Sequence, residues 1–231
     1  MTRTVLQIVQ DACTKIGIEQ VTELFSSTER THVELRQALI EAADKIVRAH
    51  DWQALKTLVN HTGDGTTTEF AKASDFLRMP KDGQIWSTKW EAPLEHIDPE
   101  TWLNLDIREF DLVYGTWTLF GDNFVYKPAL ASDETARFFY VSRNKCADSL
   151  GTAKETFTAD DDTFRLDDRV LELVFIWTWR QQKQLDYAED MATAEIALSR
   201  AISDDKGARI LVQASRPNYR AKTAYPWKIT P

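Results

Sequence analysis

The chain has 231 residues, 43% of them apolar and 11% aromatic, which is ample for a packed core in one large or two small domains. The net charge of −8 argues against a nucleic-acid-binding body, and two cysteines without a partner motif argue against a disulfide-stapled scaffold and for folding in a reducing compartment. No run of about eighteen apolar residues is present, so no membrane-spanning helix is expected.

Helical periodicity opens the chain. Val5, Val9, Ala12, Cys13 and Ile16 fall on one face, and Gly17 is placed to end the helix. Polar residues run throughout this segment, so it reads as an amphipathic helix and not as a signal peptide. Cys13, on the apolar side, reads as a small buried hydrophobe. A second helix is expected from Thr31 to His50, with Thr31 and Glu34 spaced as a capping box and Leu35, Leu39, Ala42, Ala43, Ile46 and Ala49 as its buried stripe. The period then changes. Lys56–His61 reads as a strand ending at the turn Gly63-Asp64-Gly65, and Trp86–Trp90 as a short strand. Asp98-Pro99-Glu100 signals the start of a short helix through Trp102 and Leu105. Gly115–Phe120 and Phe124–Lys127 flank Gly121-Asp122-Asn123 as a hairpin, and Thr135–Val141 alternates with Ala136, Phe138 and Tyr140 on one face.

The third main helix opens at Asp167 and Asp168. Eight of the ten residues from Val170 to Trp179 are apolar and point almost all round the axis. Such a helix is buried on every side, either at the centre of a bundle or against another subunit. A fourth helix is expected from about Asp186 to Ser203, burying Tyr187, Met191, Ala194, Leu198, Ala201 and Ile202, with Gly207 beyond its end. From Lys206 to Pro231 there are six basic residues and no acidic one, which leaves 22 of the 28 basic residues to face all 36 acidic ones, a balance of −14. Ile210-Leu211-Val212 could form a strand; otherwise the tail is aromatic, basic and proline-punctuated, as suits an extended arm. The expected fold is α+β: a helical bundle of about four helices from both chain ends, with an inserted small antiparallel β region and an extended C-terminal arm. The segments are 1–52 and 159–207 for the bundle, 53–158 for the β-rich region with its short helix, and 208–231 for the arm.

Catalytic signatures are lacking. No phosphate-cradling glycine loop and no nucleophile elbow occurs, and the four histidines lack zinc spacing. His32-Val33-Glu34 resembles half of a deaminase signature whose cysteine half is missing. Asp160-Asp161-Asp162, with Asp167 and Asp168 behind, is the best metal candidate, but the glycine and terminal glutamate of a calcium loop are absent. The plainer reading is a polar loop leading into helix-start carboxylates, each favourable by ~0.3–1 kcal/mol. No catalytic, cofactor-binding or metal-ligating residue is therefore assigned, and a non-enzymatic protein is expected. The tail, with Tyr219, Tyr225 and Trp227, could bind phosphate and stack bases; an acidic protein surface, on a neighbouring identical subunit or a partner, fits it better.

Four segments carry a family resemblance: His50-Asp51-Trp52-Gln53-Ala54-Leu55, Thr158-Ala159-Asp160-Asp161-Asp162-Thr163, Ile176-Trp177-Thr178-Trp179-Arg180, and Leu185-Asp186-Tyr187-Ala188-Glu189-Asp190. In this order, over about residues 3 to 212, they resemble the head-to-tail adaptor (tail accessory, or head-completion) proteins of tailed bacteriophages. The chain departs from the family at Phe70–Arg78, where Asp75 and Phe76 remain but the family's proline is missing. The resemblance implies a virion protein, made in the host bacterial cytoplasm. It would form a homo-oligomeric ring of twelve copies beneath the portal protein, extending the DNA channel and docking the tail or nozzle protein. DNA would pass without specific binding, and no membrane or cofactor is implied. It also implies that the arm reaches a neighbour or the portal. The expected contact residues are Phe175, Ile176 and Trp179 on the apolar helix and Arg209, Arg216, Tyr219, Arg220, Tyr225 and Trp227 on the arm. The alternatives are a virion-associated peptidoglycan-degrading enzyme, for which no motif speaks, and a helical scaffold whose basic tail binds nucleic acid or protein.

Overall fold

In a computed structural model, residues 3–107 and 115–207 are described. The helices are α1 (Val5–Ile16), α2 (Arg30–Ala49), α3 (Pro99–Ile107), α4 (Asp168–Gln182) and α5 (Ala188–Asp205). The strands are β1 (Lys56–Thr62), β2 (Glu69–Ala71), β3 (Phe76–Arg78), β4 (Trp86–Ser87), β5 (Ala92–Pro93), β6 (Glu95–His96), β7 (Thr116–Phe120), β8 (Asn123–Lys127), β9 (Thr135–Ser142), β10 (Cys146–Ala147), β11 (Ala153–Lys154) and β12 (Thr163–Phe164).

The mixed α+β class stands, but the expectation of a four-helix bundle with a small β insertion is corrected. The described residues form five helices and three sheets, with about 22% of those residues in strands. The reason is that the β region has a core of its own. Phe76, Ile85, Trp117, Phe124, Tyr126, Phe138 and Tyr140 are buried together, apart from the helical core. A five-stranded sheet (β1-β9-β4-β5, with β3 also on β9) and a four-stranded sheet (β2-β8-β7-β6) supply these side chains. The side-chain alternation of β9 sends Ala136, Phe138 and Tyr140 inward and leaves Arg137 and Phe139 outside. Gly121, at φ +56°, takes the first position of the tight β7–β8 turn, closing the pair Phe120–Asn123. Gly63 is needed for a different reason: a Cβ there would lie 2.2 Å from the carbonyl oxygen of Ala131.

The helical core joins both chain ends. Val5, Ile8, Val9 and Ala12 of α1, Leu35, Leu39, Ala42 and Ile46 of α2, and Val170, Leu171, Val174 and Phe175 of α4 pack together. Helix α4 is its hub, with α1, α2 and α5 around it. Helix α5 lies more superficially than its periodicity promised: only Ala194 is fully buried, while Leu198, Ala201 and Ile202 are half-buried against α4 and its neighbours. Tyr187 stacks on Trp177, centroids 6.3 Å apart.

Capping was partly misread. Thr31 does not cap α2; its N-cap position is Glu29, which makes no side-chain cap bond, and Glu34 instead accepts from Arg30 and Lys183. The capping box that does form is at α1, between Thr4 and Gln7. Asp167 caps α4 as expected, accepting from the backbone N–H groups of Arg169 and Val170. Asp98 accepts from Thr101 at the start of α3. The strand expected over Trp86–Trp90 is only the two-residue β4. The strand expected at Ile210–Val212 lies outside the described residues.

Candidate interaction surfaces

The acidic loop before α4 is a structural clamp. Asp162 is fully buried, and Lys154 Nζ donates to both of its carboxylate oxygens at 2.6 and 2.7 Å. The backbone N–H groups of Thr158 and Ala159 donate to Oδ2 at 2.7 and 3.0 Å. Asp160 accepts from the backbone N–H groups of Leu24 and Phe25, both at 3.0 Å. The loop's own carbonyls receive the start of α1, through Val5 N–H to Asp162 O and Leu6 N–H to Asp160 O. These bonds occupy both carboxylate oxygens of Asp162 and Oδ1 of Asp160. Among the described residues no group of three or more His, Cys, Asp or Glu side chains is placed to hold a metal ion.

The other resemblance segments also lie at joints. Asp51 accepts from the Arg78 guanidinium at 2.8 Å and from the Lys81 N–H at 2.7 Å, fastening the end of α2 to the β region. Burial pushes the Asp51 carboxyl up, but these donors outweigh it and hold it below the ordinary aspartate range. Trp52 Nε1–H donates to Ile46 O, and His50 Nε2 lies 3.2 Å from the Asp205 carboxylate at the end of α5. Arg180 and Asp190 pair at 2.6 Å across the α4–α5 turn. Asp75 accepts from Tyr140 Oη at 2.5 Å and Ser142 Oγ at 2.6 Å. Burial, then the Asp75 charge, pushes the Tyr140 hydroxyl up to about 12.

Helix α4 is less apolar than its sequence suggested. Glu172 and Thr178 are both buried. Glu172 is met by Arg3 at 2.9 Å, by Lys15, and by Arg169 at 3.3 Å. Burial raises the Glu172 carboxyl, but hydrogen bonds from Lys15 and Arg3 prevail and keep it below the usual range. Arg3 and Lys15 sit 169 and 157 positions away, a separation that no local pattern signals.

Of the expected contact residues, Phe175, Ile176 and Trp179 lie in the chain's own core at 0%, 4% and 4% exposure. The all-round apolar character of α4 is therefore satisfied within one subunit, by α1, α2 and α5, and none of the three offers surface to a neighbour in this structure. Arg209, Arg216, Tyr219, Arg220, Tyr225 and Trp227 lie outside the described residues. Both cysteines are buried; burial, then Asp162, pushes the Cys146 thiol up to about 11, which suits an inert side chain.

One open feature was not foreseen. On the outer face of the five-stranded sheet, Leu58 of β1 is paired with Phe139 of β9, and Trp86 of β4 lies beside Arg137. These three apolar side chains are 44–52% exposed and form the floor of a groove of about 700 Å³. The sequence signal was present: on a strand whose alternate residues face inward, Phe139 had to face outward. Lys56, Lys81, Arg137 and Lys206 rim the groove against Asp51 and Asp82. Among the described residues no helix is long and apolar enough to cross a membrane. No protein-family model matches the chain, and no curated protein matches it.

Proposed function

We propose that the chain is a structural virion protein, a head-to-tail adaptor of a tailed bacteriophage. Copies assemble as a ring beneath the portal, extend the DNA channel and present a docking surface to the tail. The observation that carries this reading is the ordered set of four sequence segments, from His50 to Asp190, that resemble that family. What they do here supports a structural role: they supply the clamp at Asp162, the Asp51–Arg78 joint and the Arg180–Asp190 turn pair, all of which hold the chain together. An acidic body also suits a DNA conduit, since affinity for the phosphate backbone needs cations. The basic segment after Gly207 supplies the opposite charge for assembly.

Micrographs of the purified full-length protein, alone and mixed with its portal protein, test the proposal. Rings or portal-capped particles are expected. Monomers in both preparations would sink it, and clearing of a peptidoglycan gel would favour the wall-degrading alternative.

A further inference from the structure

Among the described residues, nothing buries helix α3. Five of its nine residues, Pro99, Trp102, Leu103, Leu105 and Ile107, are apolar, yet none is buried, and Leu103 and Ile107 are 53% and 72% exposed. A helix this short is marginal in water unless a face is packed. It is also acidic: Asp98, Glu100 and Asp106 lie on it or at its start, with no basic residue. Among the described residues, only Asp106 has a basic partner, Lys127 at 3.1 Å. The helix packs beside β7 of the four-stranded sheet. The groove floored by Leu58, Trp86 and Phe139 is on the outer face of the other sheet, and four basic side chains rim it against two acidic ones. Of those two, Asp51 is already engaged by Arg78.

One surface is thus an exposed apolar ridge with negative charge, and the other an exposed apolar furrow with a positive balance. They are carried by different sheets, and no residue of α3 lines the groove. We infer that α3 of one copy docks in the five-stranded-sheet groove of the next, making a head-to-tail seam. Leu103 and Ile107 cover the apolar floor, and Glu100 faces the Lys81 side of the rim. Such a contact is heterologous, so it propagates to a ring where the rotation closes and to a filament where it does not. This rests on the reading of the chain as a self-assembling ring protein, and it locates the seam away from α4.

The test is cysteine cross-linking of full-length chains, Leu103→Cys mixed with Leu58→Cys, under mild oxidation. Both positions are exposed and both native cysteines are buried, so the fold tolerates the changes and the background is low. The expected result is an interchain disulfide several-fold stronger in the mixture than in either variant alone. Sedimentation of the same samples separates the two ideas. Oligomers without the mixed disulfide overturn the seam and leave the ring reading standing. Monomers without it overturn the seam, and the portal micrographs then decide the ring. As a second readout, Lys81→Glu is expected to weaken assembly about tenfold and Glu100→Lys in the same chain to restore it; wild-type assembly by Lys81→Glu would overturn the inference.

Discussion

Replacing Asp162 separates the clamp reading of the acidic loop from a metal-binding one. In Asp162→Ala, the N–H groups of Thr158 and Ala159 lose their acceptor. A buried donor left unsatisfied costs about 1–3 kcal/mol. Lys154 also loses both of its carboxylate bonds, but its side chain is 25% exposed and recovers part of the loss from water. The sum is about 3–5 kcal/mol, in line with breaking a buried ion pair. For a chain of this size that lowers the melting temperature by about 10 °C. Asp162→Asn is the informative contrast. Its amide oxygen can take the place of Oδ2 and keep both N–H bonds, but its NH2 group then faces the Lys154 ammonium, so the cost is about 2–3 kcal/mol. Urea unfolding followed by tryptophan fluorescence measures both variants, and chelator or added calcium is expected to leave the wild type unchanged. The reasoning is refuted if the alanine variant unfolds within about 1 kcal/mol of wild type, or if the asparagine variant is equally damaged.

Three further outcomes follow from the same structure. His61 lies buried among Phe70, Phe124 and Phe138 with Nδ1 2.8 Å from Tyr126 Oη, and burial pushes its pKa down to about 4. Its protonation favours the unfolded chain, so this contribution is complete above about pH 6.5 and is lost as pH falls toward 4, on the order of 3 kcal/mol; an identical pH slope in His61→Gln would contradict it. Trp179→Ala is expected to cost about 3–5 kcal/mol of folding stability as a core deletion, whereas an unchanged melting temperature with lost assembly would restore it to a seam. Deleting residues 208–231 is expected to leave the melting temperature of the remainder within about 2 °C while weakening assembly in sedimentation, and normal assembly would remove the arm from the proposal.

The elements most legible in the sequence were those whose burial follows a single period. Helices α1 and α2 carry clean stripes, and β9 alternates from Ala136 to Tyr140, so each announced both its type and its inward face. Short strands such as β5, β6 and β10–β12 have two residues each, too few to show any period. Helix α4 was legible as a hub, but its apolar surplus was credited to a neighbouring subunit because the partners that use it are far away in sequence. Val5, Leu35 and Ala194 meet it only in three dimensions. The same holds for Glu172, a charged position within the apolar run of α4 whose bridges to Arg3 and Lys15 no local pattern signals. The groove was half legible: alternation put Phe139 outside, but its neighbours Leu58 and Trp86 depend on strand register.

The joining of both chain ends in one core imposes an order on synthesis. Helices α1 and α2 leave the ribosome first, yet the hub they pack on begins at Asp168 and the clamp that receives Val5 at Asp160. At ~5–20 residues per second, the intervening stretch of more than a hundred residues keeps their apolar faces waiting for roughly ten seconds. The β region, closed on itself by β1 and β9, completes its core within that interval. The nascent chain therefore carries two uncovered amphipathic helices ahead of a finished β unit, which makes the first fifty residues the segment most in need of a chaperone's protection.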